Sequence, residues 1–136
     1  MNYIDILEAQ LEVDEGRKNF MYRDTKGILT IGIGHNLQKP ISDRAIRVIF
    51  EDDMHDAEND ARKLVHNFDT LSDPRKAVVV NMSFNLGFER LSLFHDTLAA
   101  INEGRFEDAA KGMLDSAWAN QVGDRAKRLA DAMRKG

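Results

Sequence analysis

Residues 22–35 read Tyr-Arg-Asp-Thr-Lys-Gly-Ile-Leu-Thr-Ile-Gly-Ile-Gly-His, or YRDTKGILTIGIGH, and their reading decides how the chain begins. Asp24-Thr25-Lys26-Gly27 has the aspartate start and glycine end of a favoured turn, so residues 20–23 are expected to pair with 28–33 as a β-hairpin. Glycine weakens a strand interior, because it loses more entropy on folding and offers no side chain to pack, so Gly32 and Gly34 need a reason. Strand alternation puts Thr30, Gly32 and Gly34 on one face, with Leu29, Ile31 and Ile33 on the other and available to the core. The first face is then almost flat. A polymer could lie close to that backbone, and Thr30 could hold a water beside Asp24; alternatively, the glycines only permit twist or a bulge. A nucleotide cradle fits less well, since Gly32-Ile33-Gly34-His35-Asn36-Leu37 lacks the third glycine of a dinucleotide fingerprint and no P-loop lysine follows.

On either side of the hairpin the period becomes helical. Residues 3–15 set Tyr3, Ile4, Leu7 and Leu11 on one stripe, with Asn2 as N-cap and Gly16 as the stop. Beyond Lys39-Pro40, Ser42 caps a long helix on which Ile46, Ile49, Phe50, Met54, Ala57, Ala61, Leu64 and Phe68 recur at steps of three and four. Its other face is acidic, with Asp43, Glu51, Asp52, Asp56, Glu58 and Asp60, a pattern that usually means a solvated surface. Ser72-Asp73-Pro74 opens a further helix that stops near Gly87. Asp96 and Gly104 bracket a short one, Phe106, Ala109, Ala110 and Met113 mark another, and Gly123-Asp124 precedes a last helix over 125–134. The expected architecture is α+β and mainly α-helical. A small hairpin lobe (about 16–41) is joined by a connecting helix (about 42–67) to a helical lobe of 68–136 plus the N-terminal helix, with a cleft between the lobes.

The 136 residues suit one domain that buries about two thirds of its unfolded surface. With no cysteine, thiol catalysis and a disulfide framework are excluded, and a reducing compartment is compatible. Asp5, Glu8 and Glu12 interrupt the N-terminal apolar residues, unlike a signal peptide, and no apolar run approaches membrane-spanning length, so no membrane insertion is expected. A formal net charge of -4 argues against a nucleic-acid partner, whose affinity rests on phosphate neutralisation. His55, His66 and His95 show no metal-ligand spacing, so neither metal nor cofactor is expected.

Two carboxylates stand out by position. Glu15 falls on the last turn of the first helix, where the negative end of the helix dipole and unpaired carbonyls disfavour a second negative charge. A carboxyl group that keeps its proton is what a general acid needs. Asp24, at the hairpin turn, can be kept ionised by backbone N–H groups and water. Carboxyl groups in contrasting environments mark the acid/base division of labour seen in glycoside cleavage. Read singly, Glu15 is an ordinary helix-end glutamate, Asp24 a turn former and Thr30 a strand threonine. His35 reads as structural, paired with an acid on the long helix such as Asp53, while Phe84 and Trp118 read as core.

Taken together, Asp14-Glu15-Gly16, Tyr22-Arg-Asp24-Thr-Lys-Gly27 and Thr30-Ile-Gly-Ile-Gly-His35 resemble the catalytic region of the phage-type lysozymes, the bacteriophage endolysins that cut peptidoglycan. The resemblance continues through Asn81-Met-Ser-Phe-Asn-Leu-Gly87 and Trp118-Ala-Asn-Gln121 to Arg125-Ala-Lys-Arg128, and so covers most of the chain. It implies a lysozyme-like fold, Glu15 as general acid, Asp24 as the carboxylate that positions or activates water, and Thr30 as its partner. It also places Asn36, Phe84 and Thr97 along the sugar cleft. The sequence departs from the family where Asn36 replaces an apolar residue, at Gly112, where relatives can carry a polar side chain, and in a shorter segment between Pro40 and Ser42. Basic Arg125, Lys127, Arg128, Arg134 and Lys135 can supply local attraction to an anionic wall despite the acidic balance.

The resemblance implies hydrolysis of the β-1,4 bond between N-acetylmuramic acid and N-acetylglucosamine in bacterial peptidoglycan, with inversion, by a monomer. It further implies accumulation in the host cytoplasm, then access to the periplasmic wall through holes made by a separate phage protein. The alternatives are a catalytically silent peptidoglycan-binding module on the same scaffold and a nucleic-acid binder using the basic last helix.

Overall fold

A computed structural model describes residues 2–136. Two compact units divide the chain, one running through Ile46 and the other comprising Arg47–Gly136.

The first unit opens with helix α1, Tyr3–Glu15. Asn2 caps it, its side chain accepting from the N–H groups of Ile4 and Asp5, while Asp5 reaches back to the Asn2 N–H and completes a capping box. Gly16, at φ 74°, ends the helix with a backbone conformation that other residues rarely adopt. No residue of α1 is buried, and the stripe of Tyr3, Ile4, Leu7 and Leu11 stays exposed.

Strands β1 (Lys18–Arg23), β2 (Leu29–Gly32) and β3 (His35–Asn36) form an antiparallel sheet in that order. Tyr22 faces Thr30 and Arg23 faces Leu29, as the expected hairpin requires, but the register shifts between Lys18 and Tyr22. The expected strand through Ile33 is not formed. Gly32 and Gly34 take φ values of 68° and 67°, so the chain reverses and returns as β3, with Thr30 opposite Asn36 and Ile31 opposite His35. The alternation that put Thr30, Gly32 and Gly34 on one flat face therefore ends at Gly32. Ile33 is exposed at the turn instead of packed inward.

Helix α2, Asp43–Leu64, is the long helix the three-and-four spacing predicts, and the Ser42 side chain accepts from the Ala45 N–H at its start. The unit boundary falls within this helix. Its stripe is buried only at Ala57 and Ala61, and Phe68 reaches the core from a separate 3-10 turn, Phe68–Thr70. The second unit continues with α3 (Asp73–Leu86), α4 (Phe88–Ser92), α5 (His95–Asn102), α6 (Phe106–Leu114), α7 (Ala117–Val122) and α8 (Asp124–Lys135). Ser72 caps α3, Pro74 sits in its first turn, and Gly87 at φ 80° stops it. Helices α4 and α7 were not anticipated; at five and six residues they are too short to display a period.

The hydrophobic core lies in this unit, around Val65, Val78, Val79, Met82, Leu91, Ile101, Met113 and Met133. Trp118 belongs to it, 3% exposed and edge-on to Phe94. Side-chain amides link segments far apart in sequence. The Trp118 indole donates to Asn85 Oδ1 at 2.8 Å, Arg125 donates twice to Asn81 Oδ1 at 3.1 and 2.7 Å, and Arg90 donates to Gln121. Arg75 closes the C-terminal end of α8 by donating to the carbonyls of Met133 and Arg134 with its guanidinium stacked on Phe106.

Candidate active site

Glu15, Asp24, Thr30 and Asn36 all belong to the first unit. Glu15 is the final residue of α1, and the last turn holds no basic side chain. Its carboxylate lies against Gly34: a β-carbon added there would stand 2.7 Å from Glu15 Oε2, 2.8 Å from Cδ and 2.9 Å from Cγ. The glycine that looked like an unexplained strand residue is thus the turn position over which the glutamate lies. Sequence alternation missed this because it ran the strand through the turn.

Asp24 is bound into its own hairpin. Its Oδ1 accepts from the N–H groups of Lys26 at 2.8 Å and Ile28 at 2.9 Å, and its carbonyl accepts from Gly27. The turn-forming role read from the residue type is therefore present, and it engages one carboxylate oxygen. Among the described residues, Oδ2 has no hydrogen bond. Arg23 adds a bond to the Gly27 carbonyl that tightens the same turn.

Thr30 is 3% exposed, and its hydroxyl donates to the Ile28 carbonyl at 2.8 Å. Ile28 is the common anchor of Asp24 and Thr30, since both side chains bond its backbone. With its proton committed to Ile28, Thr30 Oγ1 faces any further partner as an acceptor. Asn36 lies half-buried opposite Thr30 on β3, and its Oδ1 accepts from the Gln38 N–H, which leaves its amide N–H groups for other contacts. Neighbouring His35 has a buried Nε2 without a hydrogen-bond partner among the described residues. Asp53, the acid considered for it, belongs to the second unit.

Phe84 and Thr97 also belong to the second unit, and they line different hollows. Phe84 is 45% exposed, edge-on to Phe50, so the core reading does not hold for it. It borders an apolar hollow of about 400 Å³ with Phe50, Met54 and Val80, and an acidic one of about 260 Å³ with Asp53, Asp56 and Asp60. Thr97, 5% exposed on α5, borders a groove of about 480 Å³ with Trp118, Arg90, Asp115 and Gln121. Its hydroxyl occupies the space a β-carbon on Gly112 would need, so glycine at 112 and threonine at 97 are a matched pair.

A mainly helical chain with one small three-stranded antiparallel sheet is the α+β class of the lysozyme-like proteins. The phage lysozyme family model matches residues 12–135. Among curated relatives, "Probable T4-type lysozyme 1" of Dictyostelium discoideum is 30% identical over 164 aligned positions, spanning 98% of this chain and 96% of that protein. "Probable T4-type lysozyme 2" of the same organism is 28% identical, spanning 98% of this chain and 96% of its own length. The "Pre-baseplate central spike protein Gp5" of Enterobacteria phage T4 is 29% identical over 90% of this chain but only 26% of that protein. The chain belongs to the phage lysozyme family.

Proposed function

We propose that this chain is an endolysin that hydrolyses the β-1,4 bond between N-acetylmuramic acid and N-acetylglucosamine in peptidoglycan. The observation that carries the reading is that one unit holds both a glutamate laid over Gly34 and an aspartate fixed in its hairpin turn by two backbone N–H groups.

Glu15 gives its proton to the glycosidic oxygen as the bond to the anomeric carbon breaks and an oxocarbenium-like centre develops. A water that donates one hydrogen to Asp24 Oδ2 and the other to Thr30 Oγ1 presents its lone pair to that carbon. As the new C–O bond forms, the water's proton passes to Asp24. Attack from the face opposite the leaving group inverts the anomeric centre, an outcome that requires about 6.5–9.5 Å between the carboxyl groups, against about 5–5.5 Å for retention. Asn36, Phe84 and Thr97 serve as sugar contacts. The protein acts as a monomer, gathers in the host cytoplasm before lysis, and reaches the wall through holes made by a separate phage protein.

Chromatography of purified wall fragments after digestion tests this reading. New reducing ends on N-acetylmuramic acid, released first as the α-anomer, are expected. Wall binding without any new reducing end would support a silent binding module instead.

A further inference from the structure

Gly32 and Gly34 share a positive φ and differ in their neighbours. Their φ values, 68° and 67°, are ones that L side chains rarely adopt, so a substitution at either position is strained. A β-carbon at Gly32 meets nothing within 4 Å, whereas one at Gly34 would run into three successive atoms of Glu15, the nearest at 2.7 Å. The glutamate is exposed at the end of α1, and among the described residues its carboxylate makes no hydrogen bond or ion pair.

We propose that Gly34 is a positioning residue for the reaction: the missing side chain is the seat that sets where Glu15 presents its proton. This rests on the reading of Glu15 as the general acid. A free glutamate has three torsions to distribute its carboxyl group, and proton transfer in the transition state needs the donor within hydrogen-bond reach of the leaving oxygen. A displacement of about 1 Å can cost about 10²-fold in rate. The bare α-carbon of the turn lets the glutamate chain lie across it and narrows that distribution. The obstructed atoms are the far end of a flexible side chain, so a methyl group at position 34 moves Glu15 aside without breaking the fold. Stability and activity should therefore separate.

The test compares Gly34→Ala with Gly32→Ala, which also puts a side chain at a positive φ but meets no collision. Melting curves record the strain that each substitution adds. Gly34→Ala should lose about 10²-fold in kcat with KM nearly unchanged, and the limb of its pH profile that reports the acid should move, while Gly32→Ala keeps most of its activity and the parent profile. If Gly34→Ala melts far below Gly32→Ala, Gly34→Asn takes its place, since asparagine tolerates the left-handed region better and still collides. Equal kcat and equal pH profiles in the two glycine variants would overturn the positioning role. A parallel Glu15→Gln variant separates the failures. If it is inactive while the glycine variants are alike, only the positioning role is wrong; if it is fully active, the assignment of Glu15 fails and the positioning role fails with it.

Discussion

Asp24 and Ile28 are bonded twice, the Asp24 N–H donating to the Ile28 carbonyl and the Ile28 N–H donating to Asp24 Oδ1, each at 2.9 Å. The second bond asks only for an oxygen acceptor, whereas activation of water asks for a charge. Asp24→Asn keeps the acceptor and should melt within a few degrees of the parent. Asp24→Ala loses both side-chain bonds, from Lys26 and Ile28, and should lose about 1–2 kcal/mol. Both variants should lose at least about 10²-fold in wall hydrolysis. Thermal melts alongside a turbidity assay on outer-membrane-stripped bacteria separate the two roles.

Thr97 and Gly112 make a second separable pair. Alanine in a helix is favoured over glycine by about 1 kcal/mol, but at 112 its methyl group would meet the Thr97 hydroxyl. Gly112→Ala alone should therefore gain nothing, and Gly112→Ala in a Thr97→Ala background should stabilise that background by up to about 1 kcal/mol. Denaturant unfolding of the four proteins in the cycle measures the coupling. Additive effects would mean that the two positions do not share space.

Asp131 carries a pH signature. Hydrogen bonds from Lys135 and then Arg134 hold its carboxyl below the ordinary carboxylate value of 3.8. A carboxyl depressed on folding adds stability above the unfolded-state value, and that stability is lost as pH falls through the lower folded-state value. Asp131→Asn should therefore be slightly less stable than the parent at pH 7 and indistinguishable from it once both are well below pH 3.8. The pair is exposed and screened, so the difference at pH 7 is small and should shrink further in high salt.

Much of this architecture is legible in the sequence because it is written in local chemistry. Asn2 and Gly16 mark both ends of α1, Ser42 starts α2, and Ser72, Pro74 and Gly87 bound α3. Glu15 and Asp24 stand out because one is at a helix end and the other at a turn. What local chemistry does not carry was missed. A strand of two residues and helices of five and six give no period, so β3, α4 and α7 were silent. Asn85 and Asn81 announce nothing of their partners Trp118 and Arg125, which lie 33 and 44 residues away. Gly34 was placed on a strand for the same reason: its φ of 67° turns the chain, and Glu15, which lies over its bare α-carbon, belongs to another element.

The most direct test is the specific activity of Glu15→Gln on purified peptidoglycan, measured with circular dichroism and a melting curve to establish that the variant is folded. Glutamine keeps the shape of the side chain over Gly34 but has no proton of carboxylic acidity to give. The account predicts a folded protein with activity reduced at least about 10²-fold across the pH range. A folded Glu15→Gln protein that releases reducing ends at the parent rate would contradict it.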